Sequence, residues 1–227
     1  MTNLSAVKTP GKSRAIRSLN TAVIKPYSEL RKDFFRAGDL SAVRGKASAR
    51  PPRLDKRLSA ARLEDLRLYG HSNSKKAGRG FEAYIEVMES IRAELAKLDQ
   101  NNDWYELLSP ARCAVLLADT LEAEVNNGGF DQYFLNSSGD GAHLAPGALR
   151  FLELRDIAKM AETANAQFPR GPSPARQARL AQMERLPKSA SAAWRRLDRR
   201  FFRRKPPSAT DVCVRFILEH PSEFFKI

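Results

Sequence analysis

The chain has 227 residues, two Cys and a formal net charge of +13, with a mean hydropathy of −0.47. That length suffices for one well-filled core with segments to spare, and two Cys exclude a disulfide scaffold. No stretch has the run of apolar residues that a membrane span needs, so a cytoplasmic chain without membrane contact is expected.

The charge is unevenly spread. Residues 1–78 hold 18 Lys/Arg against 6 Asp/Glu, residues 79–168 hold 7 against 15, and residues 169–205 hold 12 against 2. An acidic middle therefore lies between two basic flanks, which bears on partners more than the total does.

In chain order, residues 1–52 are punctuated by Pro10, Gly11, Pro26, Gly38, Gly45, Pro51 and Pro52, with scattered apolar residues between them. This reads as a disordered basic arm rather than a transit peptide, with a short helical stretch near Tyr27–Arg36. Residues 54–69 suit one helix with a ragged Leu stripe, and GHSNSKKAGRG at 70–80 reads as a linker by composition. Residues 1–78 are thus grouped as an N-terminal extension, and 79–227 as one domain.

From Phe81 the pattern sharpens. Phe81, Tyr84, Ile85, Met88, Ile91, Leu95 and Leu98 recur at three and four, predicting an amphipathic helix over 80–98. Ser109-Pro110 is an N-cap followed by Pro at the first helical position, opening a helix to about Asn126 with the stripe Ala114, Leu117, Leu121 and Val125. A short helix at 130–136 follows. Residues 144–168 hold one or two helices, bent or broken near Pro146-Gly147. Helices at about 174–186, 188–204 and 209–219 complete the chain. No alternating strand of useful length and no hairpin signal occurs, so the expected fold is all-α, an irregular multi-helix bundle.

Chemistry finds few footholds. His71, His143 and His220 have no Cys or His at ligand spacing, so no metal or other cofactor is expected. Cys113 and Cys213 sit in helical context and read as small buried apolar residues. There is no nucleophile elbow, no P-loop and no dinucleotide fingerprint, and no catalytic residue is assigned. The acidic residues Glu82, Glu86 and Glu89, and likewise Asp119 and Glu122, share helix faces at spacings of three and four, where a solvated face is the ordinary reading and an acidic interaction surface, with Asp131 added, the functional one. Glu124 lies at the edge of a buried stripe and needs partners, for which the backbone N–H groups of the following turn are the nearest candidates.

The stretch EVNNGGFDQYFLNSSGD, 124–140, reads as a joint between helices. A helix ending at Asn126 or Asn127 needs a residue with positive φ, which Gly128 would supply, and Gly129 would let the chain turn and restart. Phe130, Tyr133 and Phe134 would then bury one aromatic wedge. In WRRLDRRFF, 194–202, Trp194, Leu197 and Phe201 form a core stripe, leaving an Arg face over 176–205 for anions.

The run NGGF with Gln132, Phe134, Asn136 and Gly139 resembles the signature of a bacterial family named for DNA-mimic proteins (the DMP type, number nineteen). The likeness continues through ANAQFPRGPSP at 164–174, WRRLDRRFF, and VRFILEHPSEFF at 214–225, covering about residues 100–225. The resemblance implies an all-α fold, no cofactor, no catalytic residues, and association with DNA-binding or other basic proteins through an acidic surface. The motif residues to follow are Glu124, Asn127, Gly128, Gly129, Phe130, Gln132, Tyr133, Phe134 and Asn136. Against this stand two other readings: nucleic-acid binding through the basic arm and the Arg face, and an uncharacterised enzyme using Glu124 at the NGGF corner. Monomer and dimer both remain open.

Overall fold

The computed structural model describes residues 57–95 and 108–227. They form eight α-helices: α1 Ala60–Leu66, α2 Ser74–Leu95, α3 Pro110–Leu135, α4 Ala145–Phe151, α5 Arg155–Asn165, α6 Arg176–Glu184, α7 Lys188–Phe202 and α8 Ala209–Glu219. Two 3₁₀ turns lie at Ser137–Gly141 and Pro221–Glu223. The fold is all-α, as expected. Its only sheet among the described residues is a two-residue parallel pair, β1 Leu58–Ser59 with β2 Phe225–Lys226, in the register Leu58 to Phe225. No helix of the described residues is long and apolar enough to cross a membrane.

The middle helix α3 organises the bundle, packing on α2, α4, α6, α7 and α8. The Ser109 hydroxyl accepts the Arg112 N–H at 3.3 Å and Pro110 sits in the first turn, as the sequence predicts. Ala114, Leu117, Leu121 and Val125 are all buried, and burial extends around the whole first half of the helix, from Pro110 to Ala118. A helix apolar on every side is one that other helices surround.

The aromatic wedge forms one cluster with residues distant in sequence. The Phe134 ring lies 4.9 Å from both Phe168 and Trp194, and the Trp194 indole N–H donates to the Ala164 carbonyl at 3.1 Å. Trp194, Leu197 and Phe201 are buried as a stripe, and both Cys are buried. Helix α8 begins with a reciprocal capping box: the Ser208 hydroxyl takes the Asp211 N–H, and the Asp211 carboxylate takes the Ser208 N–H.

Three boundaries differ from expectation. The break inside 144–168 lies at Leu152–Leu154, not at Pro146-Gly147. Pro146 is in the first turn of α4, where its missing N–H leaves nothing unsatisfied, and the chain turns instead through Glu153 at φ 60°. The predicted linker is mostly helix, since α2 begins at Ser74 and runs through Lys75, Lys76 and Gly78. Gly80 is needed there because a Cβ would come within 2.2 Å of the Tyr69 backbone nitrogen, where the segment after α1 crosses α2. The predicted helix at 54–69 is realised as the shorter α1, with 54–56 outside the described residues.

Residues 57–78 also pack on the bundle. Leu63 and Leu66 are buried, Asp65 pairs with Arg62 and Arg79, and the β1–β2 pair joins this segment to the chain's other end. The expectation of a disordered arm over 1–52, and of a short helix within it, lies outside the described residues.

Candidate functional site

The NGGF corner is a kink inside α3. Gly128 has φ −156° and ψ 18°, while Gly129 has φ 78° and ψ −175°. The positive φ therefore falls on Gly129, one residue later than the helix-ending argument placed it. What fixes it there is α7. A Cβ on Gly129 would lie 2.6 Å from Asp198 Oδ2, and Asp198 Oδ1 accepts the Phe130 N–H at 2.9 Å. Asp198 thus caps the helical segment that restarts after the kink, doing from another helix what an N-cap side chain does locally. Burial pushes the Asp198 carboxyl up from its ordinary value; the Phe130 N–H opposes this and nearby Asp131 adds to it.

Glu124 spans the kink. Its Oε2 accepts from Gln132 Nε2 and Asn136 Nδ2, both at 2.9 Å, and its Oε1 accepts the Ser138 hydroxyl at 2.5 Å. The expected backbone N–H partners are replaced by three side chains, because the kink carries the chain back along the Glu124 face instead of ending there. Partial burial is the largest single influence and raises its pKa. The three donors together outweigh it and hold the carboxyl below the ordinary value. Asn127 is exposed, and Phe130, Tyr133 and Phe134 are buried. The Tyr133 hydroxyl, also buried, finds no hydrogen-bond partner among the described residues.

Arg179 completes the corner and was not legible in the sequence. It is fully buried on α6. Its Nε donates to the Phe134 carbonyl, one Nη to the Asn136 carbonyl and the Asp140 carboxylate, and the other Nη to the Ser173 carbonyl, all at 2.7 Å. Gly139 makes room, since a Cβ there would lie 2.8 Å from Arg179 Nε. The only hint in the sequence is that α6 lacks an apolar stripe and needs another anchor.

The acidic candidates divide. Glu122 is buried and points at the start of α8, where it accepts the Ala209 N–H at 2.7 Å, the Thr210 N–H at 2.8 Å and the Thr210 hydroxyl at 2.9 Å, with Arg204 at 3.3 Å. A carboxylate there satisfies two of the orphan donors of a helix N-terminus and complements its dipole. It is not a surface charge. Asp119 accepts the Tyr84 hydroxyl at 2.7 Å and Arg92 at 2.6 Å, and Glu86 is paired with Arg62. Only Glu82, Glu89 and Asp131 are exposed with no ion pair among the described residues.

Glu82 and Glu89 flank an apolar pair on α2. Phe81 is 50% exposed and Ile85 36%, one turn apart. The outer face of α7 carries the opposite charge, with Arg195, Arg196, Arg199 and Arg200 exposed on it and Arg203 exposed at its C-cap. Over all described residues, 25 Lys/Arg stand against 19 Asp/Glu, so the folded part is basic as a whole and its acidic character is local.

Among the described residues no three His, Cys, Asp or Glu side chains converge as metal ligands. Burial pushes the Cys113 thiol up to about 12, which suppresses the thiolate a nucleophile would need. Burial likewise lowers the pKa of His143.

A family model described as DMP19-like protein matches residues 106–220, taking in the corner, the aromatic cluster and every helix from α4 to α8. Neither a curated protein nor a solved structure matches the chain.

Proposed function

We propose that this chain, which belongs to the DMP19-like protein family, is a cytoplasmic protein-interaction module that takes a basic protein segment on the apolar–acidic strip of α2. The observation that carries this reading is the pair Phe81 and Ile85, exposed one turn apart and rimmed by Glu82 and Glu89. Exposed apolar side chains within a charged rim supply the desolvation energy of an interface, and the rim selects the sign of the partner. A DNA-binding protein, whose surface is basic, fits that rim.

The strip does not have the charge density of a nucleic-acid backbone. From Glu82 to Glu89 the helix rises roughly 10 Å at about 1.5 Å per residue, and of the three carboxylates there Glu86 is already paired. Duplex DNA carries one charge per about 1.7 Å, about six over the same length. Recognition by a short apolar anchor with complementary charge therefore suits this member better than imitation of phosphate spacing.

Glu124 is a poor candidate for acid–base work. Both of its oxygens hold donors, and a carboxyl held below its ordinary value is a weak base at neutral pH.

The test is capture from a bacterial lysate with the full-length chain. The wild type should retain a basic protein, identified by mass spectrometry, that is released as salt rises. Glu82→Lys with Glu89→Lys, or Phe81→Ser with Ile85→Ser, should lose it. Retention of the same protein by both variants would sink the reading.

A further inference from the structure

The outer side of α7 is part of a concave site. A cleft of about 500 Å³ opens between α5 and α7 and continues past the α7 C-terminus, lined by Arg196, Arg199, Arg200, Arg203, Arg204 and Lys205, with Asp156 and Met160 from α5. Arg204 is occupied, donating to the Pro207 carbonyl and Glu122 and lying over the Phe201 ring. Arg196, Arg199, Arg200, Arg203 and Lys205 have no ion pair among the described residues. Like charges at three- and four-residue spacing on a helix repel one another. Here they are also gathered around a hollow, and Asp156 is the single carboxylate in its lining. Such a surface gains free energy by taking up an anion with several negative groups.

A second observation narrows the class of anion. Phe202, the last residue of α7, is 57% exposed, whereas its neighbour Phe201 is buried. Phe202 lies outside the cleft lining but follows Arg199, which does line it, by three residues, so it stands next to that guanidinium at the edge of the cleft. A flat aromatic beside a cationic groove is the pairing that holds unpaired bases: phosphates follow the charge while a base stacks on the ring. Bases in a duplex are already stacked and offer no free face.

We infer that the α5–α7 cleft is a single-stranded nucleic-acid site, with the phosphates on Arg196, Arg199, Arg200 and Arg203 and one base leaving the cleft past Arg199 to stack on Phe202 at its edge. This site stands apart from the α2 strip and does not depend on it.

The experiment is fluorescence anisotropy of a short labelled oligothymidylate with the full-length protein across a salt series. Arg199→Glu with Arg203→Glu should weaken binding at least about tenfold and flatten the salt dependence by about 0.7 in log–log slope for each phosphate no longer held. Phe202→Ala should weaken it roughly 5- to 100-fold, the loss of one base stack, with little change in slope. A duplex of matched length should bind more weakly than the single strand. If the first variant is poorly folded by circular dichroism, Arg196→Glu with Arg200→Glu gives the same readout. Wild-type affinity in the charge-reversed protein would overturn the site, because the phosphates would then be held elsewhere, for example by the basic residues 1–56. Unchanged affinity in Phe202→Ala together with equal binding of duplex would overturn the single-strand assignment.

Discussion

The carboxylates around α3 and the guanidinium groups on the outside of α7 belong to one bundle, yet they are used in opposite ways. Glu122 and Glu124 each gather at least three donors, and Asp198 reaches back from α7 to hold the Phe130 N–H. These groups close the corner and start the last helix. Arg196, Arg199 and Arg200 on the same α7, and Arg203 at its C-cap, have no ion pair among the described residues. A count of charges along the chain treats the two sets alike. Packing separates them, because a buried carboxylate must be paired to be tolerated, whereas an exposed guanidinium can wait for a ligand.

The division between buried, paired charge and exposed, open charge is tested most severely at Arg179. Arg179→Met should cost about 3–5 kcal/mol, since it strips the partners from buried carbonyls and from Asp140. Urea denaturation followed by circular dichroism would read it, and a loss under about 1 kcal/mol would mean the buried guanidinium holds little together. Glu122→Gln should cost about 1–3 kcal/mol in the same assay, because an uncharged amide holds the α8 N-terminus less strongly and places an NH₂ where a donor already points.

The corner itself offers a matched pair. Gly129→Ala should cost about 1–3 kcal/mol, because φ 78° is unfavourable for an L side chain and the new Cβ would press on Asp198. Gly128→Ala should cost less, since its φ of −156° lies outside the left-handed region and its obstacle is the Gln132 side chain of the same helix, not a carboxylate held from α7. Equal losses would show that the kink is not anchored through Asp198. By contrast, Arg199→Glu with Arg203→Glu should move Tm by only about 2 °C, as exposed positions without partners do.

Acidification separates the carboxylates further. The depressed pKa of Glu124 contributes stability that is fully present above its unfolded value, about 4.3, and is lost as pH falls through the lower folded value. Asp198 has the opposite sign: its folded pKa is raised, so protonating it on acidification relieves the folded state at a higher pH than the Glu124 loss. Glu124→Gln should therefore be less stable than wild type at neutral pH, and the gap should close below about pH 4. A gap that persists unchanged at low pH would place the effect in packing rather than charge. The smallest expected effect is at Tyr133, whose buried hydroxyl finds no partner among the described residues. Tyr133→Phe should be neutral or stabilising by up to about 1 kcal/mol.

Much of the bundle was legible because its cause is local. Ser109-Pro110, the stripe from Ala114 to Val125, the Trp194, Leu197 and Phe201 positions, and the span of α8 all follow from caps and three–four spacing. The features missed depend on residues far along the chain. Glu122 has the spacing of a solvent-facing acid, and only the docking of α8, 87 residues later, turns its surroundings into a helix N-terminus. Positive φ falls on Gly129, not Gly128, where the Phe130 N–H is held by Asp198 of α7 and a Cβ on residue 129 would meet that carboxylate. Arg179 lies in the same Arg-rich run, 176–205, as the exposed guanidinium groups, and no periodicity marks it as one that turns inward.

If the carboxylates of the corner hold the fold while those of α2 meet a partner, the two sets must respond differently in one assay. That assay is a side-by-side lysate capture with Glu122→Gln, Glu124→Gln and the Glu82→Lys/Glu89→Lys variant, at a temperature where all three are folded. Glu122→Gln and Glu124→Gln should retain the wild-type basic partner, and Glu82→Lys/Glu89→Lys should lose it. Loss of the partner from folded Glu122→Gln or Glu124→Gln, with retention by Glu82→Lys/Glu89→Lys, would contradict this division of roles.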